Sequence, residues 1–142
     1  MLLVVDDDED AIFFVRHRLA KCGIAAELIV ARDGGEAIAL FERCLSTQTD
    51  FPALVLLDIK MPGIGGFGVL EWLRAHELLG RTTVVIHSSS DHPGDVSRAM
   101  MLGAHSCLAK PITETFLREL LATAARFSGN RNHGHGNTPP QS

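Results

Sequence analysis

Four short apolar runs in this sequence each stop at a residue whose side chain carries chemistry. MLLVV (1–5) runs into Asp6, ALVLL (53–57) into Asp58, TTVVIH (82–87) into Ser88, and SCLA (106–109) into Lys110. Runs this short with no polar alternation suit strands buried on both faces, as in a parallel sheet. Glu27 to Ala31 reads as one further strand.

Between the runs, apolar residues recur at helical spacing. Ile12, Val15 and Leu19 form a stripe over 9–22, with Phe13 and Phe14 widening it. Acids crowd its first turn and Lys21 its last, both matched to the helix dipole, and Gly23 is a natural stop. Asp33 can cap a helix over 34–46 carrying Ala37, Ile38, Leu40, Phe41 and Leu45. STQTD (46–50) and KMPGIGG (60–66) read as loops. A third helix over about 67–77 carries Val69, Leu70, Trp72 and Leu73. SSSDHPGD opens a fourth, with Asp91 as cap and Pro93 in the first turn, ending at Gly103. Thr113 caps a last helix running to about Phe127, with Phe116, Leu117, Leu120, Leu121 and Ala124 on its buried side. Met100, Met101 and Trp72 read as core or helix-face residues.

Five strand–helix units in succession imply a parallel sheet covered on both faces. The doubly wound order 2-1-3-4-5 fits that count and places a ligand crevice beyond the carboxyl ends of strands one and three. The α/β domain is expected over 1–127. The polar segment 128–142 reads as a disordered tail, in which His133 and His135 are solvated rather than metal-bound.

Composition narrows the function classes. A net charge of −4 over 142 residues argues against a DNA binder. No signal peptide and no apolar run long enough for a membrane span is visible. Cys22, Cys44 and Cys107 show neither metal spacing nor a disulfide framework, which points to a reducing cytoplasm. The tail is too short for an effector module.

The predicted topology brings Asp6, Asp7, Asp58, Ser88 and Lys110 to one sheet edge. Three adjacent carboxylates repel, and one must rise in pKa unless a cation sits among them. Mg²⁺, a hard ion that takes carboxylates, a carbonyl and waters, fits such a donor set. The stretch VVDDDED packs five acids into seven residues. Its Asp8, Glu9 and Asp10 are accounted for by a helix N-terminus, whereas Asp6 and Asp7 belong with the metal-and-phosphoryl constellation. Taken singly, each residue has a plainer reading as a cap, a strand end or a turn. It is the four strand ends together that carry the chemistry.

LLVVDDDED, LVLLDIKMPGIGG, VVIHSSSD and LGAHSCLAKP together resemble the receiver domain of two-component response regulators, over residues 2 to about 127. The spacings of thirty residues from Asp58 to Ser88 and twenty-two from Ser88 to Lys110 agree with it. The long second helix, the STQTD loop and SSSDHPGDV are similar to stand-alone receivers that partner phytochrome-type histidine kinases. The resemblance implies a flavodoxin-like (βα)5 fold and a cytoplasmic domain that is not itself an enzyme. It implies phosphoryl transfer from a histidine kinase to Asp58. Mg²⁺ would be held by Asp6, Asp7, Asp58 and the Lys60 carbonyl, with Ser88 and Lys110 on the phosphoryl group. A homodimer through the fourth helix, fifth strand and fifth helix is a further expectation.

Four positions depart from the family pattern. Cys107 stands where an aromatic switch residue is usual. Gly65-Gly66 replaces an acid-Gly pair, Lys60 puts a cation beside the site, and His87 interrupts an apolar strand as a packed or half-exposed histidine. Cys107 and Gly65 support an alternative, a degenerate receiver acting as a constitutive binding module. An aspartate-nucleophile phosphatase would want an acid where Lys60 stands. A flavin binder would want a phosphate-cradling loop where this chain has acids.

Overall fold

A computed structural model describes residues 1–89 and 92–124 of the 142. Strands and helices alternate strictly: β1 (Leu2–Val5), α1 (Glu9–Lys21), β2 (Leu28–Ala31), α2 (Gly34–Thr47), β3 (Leu54–Leu57), α3 (Gly66–Ala75), β4 (Thr83–Ser88), α4 (Pro93–Met101) and β5 (Ser106–Ala109). The chain is helical again from 114 to 124, here called α5. All five strands pair in parallel in the order β2-β1-β3-β4-β5, the expected doubly wound arrangement. Asp91, the tail histidines His133 and His135, and the end of the last helix near Phe127 lie outside the described residues.

Strand residues alternate between two cores, which is why the runs are apolar throughout. Leu3, Val5, Val55, Leu57, Val84 and Ile86 pack under α2, α3 and α4. Leu2, Val4, Leu54, Leu56 and Val85 pack under α1 and α5. Phe41, fully buried on α2, anchors the first core. It stacks on Phe51 at 5.7 Å and on Trp72 at 6.1 Å between ring centres. Trp72 is thus a core-flanking residue, and Met100 and Met101 are exposed helix-face residues.

The helix starts follow the local chemistry. Asp8 caps α1 by accepting the Asp10 N–H at 3.0 Å, and Asp33 caps α2 by accepting the Glu36 N–H at 2.8 Å. Thr113 accepts the Phe116 N–H at 3.1 Å as expected. On α4 the cap is His92, whose ring accepts the Gly94 N–H at 3.1 Å, with Pro93 directly after it. Helix α2 runs one residue past the expected end, through Thr47, and closes on Gln48 in the left-handed region at φ 57°. Strand β4 is shifted one residue onward and takes in Ser88.

Four apolar residues assigned to buried stripes face outward instead. Phe13, Phe14 and Phe116 are 63%, 46% and 48% exposed, and Leu45 is 39% exposed. The reason is angular. A residue adjacent in sequence to a buried one lies about 100° around the helix, and the stripes are already filled. Ala11, Ile12, Val15 and Leu19 fill that of α1, Ala37, Leu40, Phe41 and Cys44 that of α2, and Leu117, Leu121 and Ala124 that of α5. Cys44 takes the core position expected of Leu45, and Ile38 and Leu120 are half-buried.

Phe41→Ala is expected to cost about 3–5 kcal/mol of stability, because it empties a stacked, fully buried site. Phe13→Ala should cost no more than about 0.5 kcal/mol. Urea unfolding midpoints of the two variants check both values.

Candidate functional site

The sheet ladder sets the heights of the acids. Val5 is level with Leu57 across the β1–β3 pair, so Asp6 and Asp58 leave the sheet side by side. The Asp58 N–H donates to the Val5 carbonyl at 2.9 Å, and the Asp6 N–H donates to the Ala31 carbonyl at 3.0 Å. Both carboxylates are buried, at 1% exposure for Asp6 and 6% for Asp58. Each has one oxygen satisfied locally. Asp6 Oδ1 accepts the Asp8 N–H at 3.0 Å, and Asp58 Oδ1 accepts the Ile59 N–H at 2.9 Å.

The second oxygens face Lys110. Its Nζ lies 2.7 Å from Asp6 Oδ2 and 3.6 Å from Asp58 Oδ2. Lys110 gets there because β4 pairs with β5, Ser88 with Ala109, and the Lys110 N–H closes the ladder on the Ser88 carbonyl at 3.0 Å. Ser88 is itself buried, and its hydroxyl is hydrogen-bonded to the Asp58 carboxylate. Asp7 is exposed at the mouth of the site. Carboxylate oxygens of Asp6, Asp7 and Asp58 all lie within 4.8 Å of one another. Every residue singled out at the four strand ends is therefore brought to one place. Lys60, two residues past Asp58 in the following loop, is exposed.

The charges do not balance. Burial raises the Asp58 carboxyl above the ordinary range, and the Asp6 charge raises it further. Lys110, the Ile59 N–H and the Ser88 hydroxyl oppose the rise without cancelling it. Asp6 Oδ2 is buried without a well-directed hydrogen bond, so its contact with Lys110 is an ion pair only. An all-oxygen donor set with spare negative charge and an under-satisfied carboxylate oxygen fits a hard divalent cation.

The loop after Asp58 is folded back tightly. The Gly66 N–H donates to the Ile59 carbonyl at 2.9 Å, and a Cβ at Gly66 would collide with the Asp58 carbonyl oxygen. A Cβ at Gly65 would lie 2.8 Å from the Ile59 carbonyl oxygen, so a carboxylate there would require the loop to shift. On β5, Cys107 is half-buried with its Sγ 3.8 Å from Met100 Sδ, and burial pushes its thiol pKa up.

His87 is packed, at 2% exposure. Its Nε2 accepts the Ile112 N–H at 3.2 Å, a contact that sequence reasoning missed because the partners are 25 residues apart. Burial, and then the Lys110 charge, hold its pKa down to about 4.

The whole sheet edge has a counterpart in known proteins. The family model of the response regulator receiver domain matches residues 2–122. The chain belongs to the response regulator receiver family. It is 33% identical over 129 residues to the response regulator PleD of Caulobacter vibrioides, a match covering 89% of this chain and 26% of PleD. The chain thus spans about a quarter of that relative's length. It is 30% identical to Protein PilH of Pseudomonas aeruginosa, over 87% of this chain and 97% of PilH. Among solved structures it is similar to the bacteriophytochrome response regulator AtBRR, with 30% identity and a TM-score of 0.71, covering 90% of this receiver and 91% of that chain. Among the described residues of the receiver no helix is long and apolar enough to cross a membrane.

The depressed pKa of His87 has a signed consequence. From pH 6.5 down to about 4 the unfolded chain binds a proton that the folded His87 refuses. The corresponding stability is complete above pH 6.5 and is lost as pH falls through that window. Between pH 7.5 and 5 the receiver should lose about 2 kcal/mol more than His87→Gln, which has no such proton to bind. Urea unfolding of both proteins at the two pH values measures the difference.

Proposed function

We propose that this receiver accepts a phosphoryl group on Asp58 from the phosphohistidine of a partner histidine kinase, in a Mg²⁺-dependent reaction. The observation that carries the reading is the placement of Asp58. It is buried beside Asp6 and Asp7, 3.6 Å from an ammonium and hydrogen-bonded to a hydroxyl. No structural role needs that combination at four strand ends.

In this reading an Asp58 oxygen attacks phosphorus as the P–N bond of the phosphohistidine breaks, and the leaving imidazole departs as the kinase's histidine. Catalysis of such a transfer is mostly positioning and neutralisation of oxygens. Mg²⁺, held by Asp6, Asp7, Asp58 and the Lys60 carbonyl, would supply positive charge for the phosphoryl oxygens. Lys110 sits between Asp6 and Asp58, so a phosphoryl group on Asp58 draws its ammonium away from Asp6. The Ser88 hydroxyl, already on the Asp58 carboxylate, donates to a phosphoryl oxygen instead. Ser88 ends β4 and Lys110 directly follows β5, and the new charge is thereby reported to α4, β5 and α5.

That face carries exposed Val96, Met100, Met101 and Phe116, which supports a phosphorylation-dependent protein contact there, a homodimer included. The mild negative charge supports a protein rather than a DNA partner, and the free Cys22, Cys44 and Cys107 support a cytoplasmic setting. The likeness to AtBRR supports a phytochrome-type kinase as the donor. A constitutive binding module is the second reading, favoured by Cys107 and by the absence of a carboxylate at Gly65.

Intact-mass spectra after incubation with phosphoramidate decide between them. The wild type should gain one phosphoryl group with Mg²⁺ and none in chelator, and Asp58→Asn should gain none. Lys110→Ala should slow the gain by about 10²-fold. No gain in the wild type, where a control receiver is labelled, would establish the binding module instead.

The raised Asp58 carboxyl gives a separate expectation. At neutral pH in chelator, its charge opposes folding, because a group whose pKa is raised on folding loses stability as pH climbs through that pKa. Asp58→Asn should therefore have a higher Tm than the wild type in chelator, with the gap narrowing when Mg²⁺ is added. Thermal unfolding by circular dichroism checks this.

A further inference from the structure

We infer that His87 is a positioning residue for Lys110, acting through the Ile112 amide. The inference rests on the proposed reaction at Asp58 for its kinetic consequence, but the geometry that motivates it stands by itself.

The segment Lys110–Pro111–Ile112 leaves β5 with few hydrogen bonds available. The Lys110 N–H is used on the Ser88 carbonyl at 3.0 Å. Pro111 has no N–H. The next donor is the Ile112 N–H, and Ile112 is 3% exposed. A buried N–H left without a partner loses its hydration with nothing in return, so it is strongly unfavourable. His87 Nε2 provides the acceptor at 3.2 Å.

The segment is thereby fastened to β4 through two successive N–H donors, Lys110 onto the Ser88 carbonyl before Pro111 and Ile112 onto the His87 ring after it. Lys110 lies at the first fastening and two residues before the second. Its side chain must reach 2.7 Å from Asp6 and 3.6 Å from Asp58, so a shift of the segment moves the ammonium directly. His87 needs no displacement of its own to do this, because it is fixed in the β4–β5 ladder opposite Leu108.

The chemistry of the acceptor matters as well as its place. To accept at Nε2, the ring must be neutral with its proton on Nδ1. A leucine at residue 87 would fill the space under α1 and α5 and satisfy packing, yet leave the Ile112 N–H orphaned. Packing therefore does not account for a histidine here, whereas the Ile112 amide does. Glutamine can place Oε1 near the position of Nε2 and keep the hydrogen bond without the ring.

The test compares wild type, His87→Gln, His87→Leu and His87→Met in the full chain. The first readout does not use the reaction. In ¹H–¹⁵N spectra, the Ile112 amide should be protected from hydrogen exchange and the Lys110 ammonium visible in the wild type and in His87→Gln. Both signals should be lost in His87→Leu and His87→Met. The second readout is saturation kinetics with phosphoramidate and Mg²⁺. The maximal rate of the two apolar variants should fall about tenfold, with the Mg²⁺ concentration at half-maximum within twofold of wild type, and His87→Gln should stay within about threefold.

Apolar variants that phosphorylate like the wild type overturn the inference, and so does a glutamine variant as slow as the apolar ones. Retention of the Lys110 ammonium signal in a folded apolar variant also overturns it. Should His87→Leu not fold, His87→Met carries the same comparison. A wild type that gains no phosphoryl group defeats the proposed reaction alone. The Ile112 and Lys110 signals then still decide whether His87 holds the segment.

Discussion

The ammonium of Lys110, 2.7 Å from Asp6 and 3.6 Å from Asp58, is the contact on which the rest of this receiver turns. Two buried carboxylates side by side repel one another, and a single lysine only partly offsets that repulsion. Burial and the Asp6 charge still leave the Asp58 carboxyl above its ordinary range. The sheet edge is thus built short of positive charge. That shortage is costly for folding, and the all-oxygen donor set that creates it fits a hard divalent cation.

Holding such a site demands a scaffold that does not relax. The parallel sheet provides it by burying both faces. Asp6 and Asp58 follow strands whose residues are almost fully buried, Leu2–Val5 and Leu54–Leu57, each between the same two cores. The backbone of each acid is held by the last rung of the ladder, the Asp58 N–H on the Val5 carbonyl and the Asp6 N–H on the Ala31 carbonyl. The charge imbalance is therefore kept in place by apolar burial some residues away, at about 25 cal/mol per Å² of apolar surface.

The strand order and the residues at the strand ends were legible in the sequence because both are local patterns. A short apolar run that stops at Asp6, Asp58, Ser88 or Lys110 names the strand and its terminal chemistry together. The misassigned residues share the opposite property. Phe13, Phe14, Leu45 and Phe116 are apolar but sit next to stripes already complete, and hydrophobicity alone does not say which of two neighbours turns inward. The bond from the Ile112 N–H to His87 was illegible for another reason. It joins β4 to the turn after β5, and only the assembled ladder brings the two within 3.2 Å. The tight fold-back at Gly66 was half legible: GIGG marks a loop, but the closeness of the Asp58 carbonyl to Gly66 is a three-dimensional fact.

The departures from the family pattern fall on one side of the site. The oxygen donors, the hydroxyl and the ammonium are all present, whereas Cys107 and Gly65 alter the surroundings. A thiol the size of Cys107, resting near Met100, sweeps little volume if it turns, so a change at Asp58 gains little leverage on α4 through it. The backbone route is shorter. Ser88 and Lys110 are joined directly by the Lys110 N–H and the Ser88 carbonyl, and the next donor along the chain is tied to His87. On the proposed reaction, a displacement of the Lys110 ammonium toward a phosphoryl group would pull on a segment bound twice to β4. In this chain the β4–β5 ladder gives a direct hydrogen-bonded path from the acidic edge toward the face that carries Val96, Met100 and Met101.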